Sequence, residues 1–224
     1  MNPADPKHIE IRAEHFYSWH FTPANEIQKK LTDINAKPIF LMRNIYDLVV
    51  SMYYHFANNI DHEIGRGANK HLYFSKIDKH AGIQKIITGS KDQNFRWKGL
   101  GPHLYQMECM LQFSKTYSCY LTYYEHLVNN KHETIHEISK FLNINVSENK
   151  VQKLIHSSQF DIMKTTAIKA NSGSHFRVGK TDSHIDELDQ QHVESIKKCL
   201  LMHAPELTNL TKDLGLNSLM QYNG

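Results

Sequence analysis

The sequence predicts an α/β domain, a parallel sheet flanked by helices on both faces, and three observations predict it. Short apolar runs of strand length, Pro38 to Met42 and Tyr117 to Tyr124, alternate with segments whose apolar residues recur at helical spacing. The 224 residues are 40% hydrophobic, enough to bury a sizeable core in a single domain spanning residues 1–224. The chain shows no internal repeat and no low-complexity tract, so the alternation itself sets the architecture.

The elements follow in order. His15 to Phe21, HFYSWHF, is aromatic and β-prone, and Thr22 with Pro23 opens a helix over ANEIQKKLTDI, because proline at the start of a helix costs no hydrogen bond. Pro38 to Met42 is the next strand, and Ile45 to Phe56 the next helix, with Asp47 in its first turn. Residues 57–103 are polar and carry Gly65, Gly67, Gly82, Gly89, Gly99 and Gly101, with one helix expected over His80 to Thr88. This stretch reads as a mobile insertion facing the acceptor, and its Tyr73, Phe74, Phe95 and Trp97, set among charges, match no pattern. Leu104 to Lys115 reads as a helix, Tyr117 to Tyr124 as a strand, and Glu133 to Leu142 as an amphipathic helix. Ser147 is the N-cap expected for a helix through Ile155, Phe160 to His184 reads as a loop, and Asp189 to His203 and Leu207 to Leu214 close the fold as helices.

Composition narrows the function. Lys plus Arg number 26 against 23 Asp plus Glu, a net charge of +3, too small for the clustered basic face that duplex nucleic acid requires. Any anion site must therefore be local. Three cysteines, Cys109, Cys119 and Cys199, form no Cys-x-x-Cys pair and no disulfide framework, which fits a reducing compartment. The first residues contain no cationic segment followed by an apolar core, and no run approaches the roughly 18 apolar residues of a membrane span, so a cytoplasmic protein is expected. Among sixteen histidines, His132 and His136 share a helix face, but no third ligand accompanies them in the sequence; position 84, opposite His80, is Gln. A solvated face, and no metal, is the expectation there.

The chemistry centres on Arg43, in KPIFLMRNIYDLVVSMYYHF, where a buried strand gives way to a helix. Ligands in open α/β sheets sit beyond the carboxyl ends of the strands, where helix N-termini offer N–H groups and partial positive charge. A guanidinium there suits a phosphate through forked hydrogen bonds, and Ser51, within the following helix, adds a hydroxyl. The competing reading on local sequence is an Arg43–Asp47 pair at a helix start.

Four blocks, taken together, resemble the cytosolic-type sulfotransferases, whose P-loop-NTPase-like fold moves a sulfuryl group from 3′-phosphoadenylyl sulfate (PAPS) to a hydroxyl or amine of a small-molecule acceptor. RNIYDLVVSMYYHF is similar to the family's Arg-Asn-Pro-x-Asp-x-x-x-Ser segment, which implies that Arg43 and Ser51 hold the 3′-phosphate. YYEHL resembles the Tyr-Glu-Asp-Leu block, making Tyr124 the adenine-side tyrosine. SSQFDIMK resembles the Ser-Phe-x-x-Met-Lys block, making Phe160 a base-stacking ring and Met163 its neighbour. HFRVGK resembles the loop that wraps the same phosphate, adding Arg177, Val178 and Gly179. The C-terminal LTNLTKDLGL resembles the family's closing helix.

The resemblance also implies a catalytic base. His20, in SWHFTP, stands at the end of the strand preceding Arg43, where the family places its histidine. Several positions depart from the pattern: Ser18 stands for a lysine, Ile45 for proline, Val178 for lysine, and Thr181-Asp182-Ser183 for Gly-Asp-Trp. The family's Pro-Lys-Ser-Gly-Thr loop, which holds the 5′-phosphosulfate, has no counterpart here, so the expected sheet is N-terminally incomplete. A protein that binds adenosine 3′,5′-bisphosphate (PAP) without catalysis, or a non-enzymatic interaction module, is the alternative this leaves.

Overall fold

The computed structural model describes residues 25–58, 72–93, 95–169 and 181–222. Its first element, α1 (Asn25–Asp33), leads into β1 (Ile39–Met42) and α2 (Ile45–Asn58). Next come α3 (Lys79–Thr88) and the strands β2 (Ser90–Asp92) and β3 (Phe95–Trp97), an antiparallel pair of their own. After α4 (Gly101–Ser114), β4 (Tyr120–Tyr123) lies parallel to β1, with Ile39 opposite Tyr120 and Met42 opposite Tyr123. The chain continues through α5 (Tyr124–Asn129), α6 (Lys131–Leu142), α7 (Glu148–Ser157), α8 (Phe160–Lys169), α9 (Gln190–His203) and α10 (Leu207–Asp213), and a 3₁₀ turn (Asn217–Met220) follows.

The α/β class and the parallel pairing of the two expected strands are as the sequence predicted. The helices at 25–33, 45–58, 79–88, 101–114, 131–142, 148–157, 190–203 and 207–213 fall within a few residues of their expected spans. Two differences have physical causes. The second strand is four residues long, because Tyr117 leaves the strand direction to stack on Phe113 and donate its hydroxyl to the Leu31 and Ala36 carbonyls. Phe160 to Lys169 is a helix instead of a loop, and Thr165 and Thr166 return their hydroxyls to carbonyls four residues back. Along β1, Phe40 and Met42 are buried while Leu41 between them is 55% exposed, yet Thr122, its partner on β4 and on the same face, is 3% exposed.

The core lies where α2 meets α3, and α4 meets α9 and α10. Asn44 caps α2 by accepting from the Tyr46 and Asp47 N–H groups, and one face of the helix buries Ile45, Val49 and Val50 completely. Each such side chain contributes about 1.5–3 kcal/mol by leaving water. The helices α2 and α3 touch closely because Gly82 has no side chain; a Cβ there would stand 2.6 Å from the Tyr53 ring. Phe74 and Phe95 are 3% and 1% exposed and packed edge-on to each other; Phe56 stacks on Phe74 and meets Phe95 edge-on, and Trp97 stacks on Phe95. These aromatics, to which the sequence assigned no pattern, are core residues, and the described part of the 57–103 stretch packs onto α2.

Candidate functional site

The parallel register builds the site. Arg43 follows Met42 and Tyr124 follows Tyr123, so two adjacent strands deliver these residues side by side at their carboxyl ends. The Arg43 guanidinium carbon lies 4.5 Å from the centroid of the Tyr124 ring, a cation–π arrangement that holds the planar group in place. Arg43 is 22% exposed, and its Nε is buried without a hydrogen-bond partner among the described residues.

Asp47 is not its partner. The Asp47 carboxylate is fully buried and accepts from the Asp182 N–H at 2.8 Å, the His184 N–H at 3.0 Å, His184 Nδ1 at 3.0 Å and the Ser183 hydroxyl at 3.1 Å. Asp182 turns the chain with φ 57°, a left-handed conformation that Asp tolerates better than most residues. Burial pushes the Asp47 carboxyl up, but the His184 bonds and the Arg43 charge outweigh it and leave it below its ordinary value. The Arg43–Asp47 pair expected as the competing reading is thus replaced by a pin: Asp47 fastens residues 182–184 to the head of α2.

The carboxylate within 4 Å of Arg43 is Glu125, whose Oε1 is 3.9 Å from Nε, too far for a hydrogen bond. Glu125 is occupied with the Asn44 N–H, at 3.2 and 3.4 Å to its two oxygens. Burial raises its carboxyl above the ordinary value, and the N–H groups of Glu125 and Asn44 offset this only in part. Asn44 in turn donates to the Ser218 and Gln221 carbonyls at 2.8 and 2.9 Å, tying the site to the C-terminus. Because Asn44 already caps the Tyr46 and Asp47 N–H groups, positive charge at this point comes from Arg43 more than from free helix N–H groups.

The remaining expected residues divide. Ser51 lies half-buried on α2, one turn beyond Asp47 and on the same helix face, which is the face that receives residues 182–184. Phe160 and Met163 share a face in the first turn of α8, a helix that packs on α7; the Lys164 ammonium lies 5.8 Å from the Phe160 ring, and Met163 is 38% exposed. Arg43 and Tyr124 are brought into contact; Phe160 and Met163 stand on a separate helix. His20, Arg177, Val178 and Gly179 lie outside the described residues. A hollow of about 680 Å³ opens beside β4, lined by Tyr120 to Tyr123, His126, Glu137, Lys140 and Phe141; neither Arg43 nor Tyr124 lines it.

Sequence reasoning missed Asn44, Glu125 and His184 as supports of the site. Glu125 had a signal, since it lies directly after Tyr124; His184 had none, because its role depends on meeting Asp47 across 137 positions.

Comparison with known proteins gives the family and the fold. The profile of the sulfotransferase domain matches residues 9–208. Sulfotransferase 1B1 of the dog, Canis lupus familiaris, is 24% identical over 144 residues, covering 63% of this chain and 42% of the dog protein. Among solved structures, mouse sulfotransferase SULT7A1 complexed with PAP superposes with a TM-score of 0.60 at 16% identity, over 84% of this chain and 66% of the mouse chain. The chain therefore spans less than two thirds of either relative. No helix among the described residues is long and apolar enough to cross a membrane. With its profile match running across most of the sequence, the chain belongs to the sulfotransferase family.

Proposed function

We propose that this protein binds PAPS through its 3′-phosphate and adenine and transfers the sulfuryl group to a hydroxyl or amine of a small-molecule acceptor. The observation that carries the reading is Arg43: a partly buried guanidinium, stacked on Tyr124, with a buried Nε that has no hydrogen-bond partner among the described residues. A phosphate supplies what that nitrogen is missing, as a charge-assisted acceptor of forked geometry. The Asp47 pin supports it, because it fastens residues 182–184 to the face of α2 that carries Ser51, and Arg177 and Gly179 precede those residues by only a few positions in the sequence. The mouse relative of the same fold is complexed with PAP.

In the proposed reaction the acceptor oxygen or nitrogen attacks sulfur as His20 takes its proton. The bond from sulfur to the 5′-phosphate oxygen breaks, and PAP leaves with the electron pair. Phe160 and Met163 cover the base, and the acceptor approaches from the side of residues 57–103. Titration of PAP into the 224-residue chain, followed by calorimetry and melting temperature, tests the reading. Saturable binding that Arg43→Ala weakens is expected; no binding by the parent defeats it.

A further inference from the structure

A second cluster lies on α6 and α7, away from the nucleotide residues. His132 and His136 stand one turn apart on α6 with ring centroids 4.7 Å from each other. The helix ends at Asn143, whose left-handed φ of 59° redirects the chain into a short loop, and α7 packs back on α6. This brings Glu148, the first residue of α7, to both rings: its Oε2 is 3.2 Å from His132 Nε2 and 3.5 Å from His136 Nε2. The three ligand atoms all lie within 4.8 Å of one another. A tetrahedral ion with bonds of about 2.0–2.1 Å places neighbouring ligand atoms about 3.3–3.4 Å apart, between the two separations seen here.

We propose that His132, His136 and Glu148 bind a divalent transition ion of the zinc type, with a fourth position open to water, clipping α6 to α7. Two imidazoles and a carboxylate suit zinc, whereas magnesium prefers oxygen ligands. Gln152 Nε2 donates to Glu148 Oε1 at 2.6 Å, an outer hydrogen bond of the sort that orients a ligating carboxylate. A second trio, His80, Asp189 and His192, lies equally close but is already committed. His192 Nδ1 accepts from the Asp189 N–H at 3.3 Å in the α9 cap, and its Nε2 meets the His80 carbonyl of α3 at 3.0 Å, so both nitrogens are engaged.

The test is calorimetric titration of zinc chloride, with magnesium chloride in parallel, into the tag-free chain and its variants. One zinc equivalent is expected for the parent and for His80→Ala, with no comparable response to magnesium. That equivalent should vanish in the His132→Ala, His136→Ala double variant, and weaken about tenfold or more in Glu148→Gln. Unchanged zinc binding by the double variant, no zinc binding by the parent, or an equal magnesium response overturns the proposal. Should the double variant fail to fold, imidazole resonances of the parent decide. Zinc-dependent shifts confined to two histidines sustain the site, and shifts spread across many of the sixteen refute it.

Discussion

The head of α2 and the helix α8 serve the same proposed ligand but are built in opposite ways. At the head of α2, Asn44 and Asp47 are buried and joined by hydrogen bonds to Glu125, to residues 182–184 and to the C-terminal turn. On α8 no described side chain is buried, and Met163 and Ile168 are 38% and 57% exposed. The phosphate side is thus part of the folded core, whereas the base side is carried on an arm. Substitutions at the first should mix folding with binding, and those at the second should affect binding alone.

The largest effect is expected at Asp47. Its removal in Asp47→Ala strands four donors in a buried place, which should cost about 3–5 kcal/mol of stability and weaken PAP binding with it. Urea unfolding measures the cost; a loss under 1 kcal/mol would mean that residues 182–184 are not pinned as described. Arg43→Ala is the dissecting variant, because the guanidinium contributes charge at the rim without anchoring the core. It should weaken PAP by roughly one to two orders of magnitude, about 1.5–3 kcal/mol, while the unfolding midpoint stays near that of the parent. Equal affinity in the two proteins would remove Arg43 from the site.

In preparations that transfer sulfuryl groups, His20→Ala should lower kcat by about 10²–10⁴ and leave PAP affinity unchanged, the signature of a proton acceptor. Phe160→Ala should cost about 1 kcal/mol of PAP binding, the low end for a base stacked on an aromatic ring, with unchanged stability. If Phe160→Ala destabilises the protein as Asp47→Ala does, the contrast between core and arm fails.

The smallest effect concerns acid. The folded Asp47 carboxyl sits below its ordinary value of 3.8, so it binds its proton less readily than in the unfolded chain. Its contribution is full above pH about 4 and is lost as pH falls through the lower folded value. Asp47→Asn should therefore show a flatter decline of stability below pH 4 than the parent, as followed by circular dichroism.

Local patterning determined much of this protein by itself. Periodicity placed the helices from α1 to α10 except α5 and α8, and it found both strands of the parallel pair, because each buries an apolar stripe whose spacing is written in consecutive residues. The positions of Arg43 and Tyr124 were equally legible, since each directly follows a strand. What only the tertiary structure decided is which distant residues meet. Asp47 looked like a partner for Arg43, four residues away, yet it satisfies donors more than 130 positions on; His132 and His136 lacked a third ligand until α7 returned Glu148 to them. Phe74 and Phe95, sparse in a polar stretch, proved to be core for the same reason. A side chain's partner is set by the packing of whole elements, and the one-dimensional pattern records the face an element buries but not the element it is buried against.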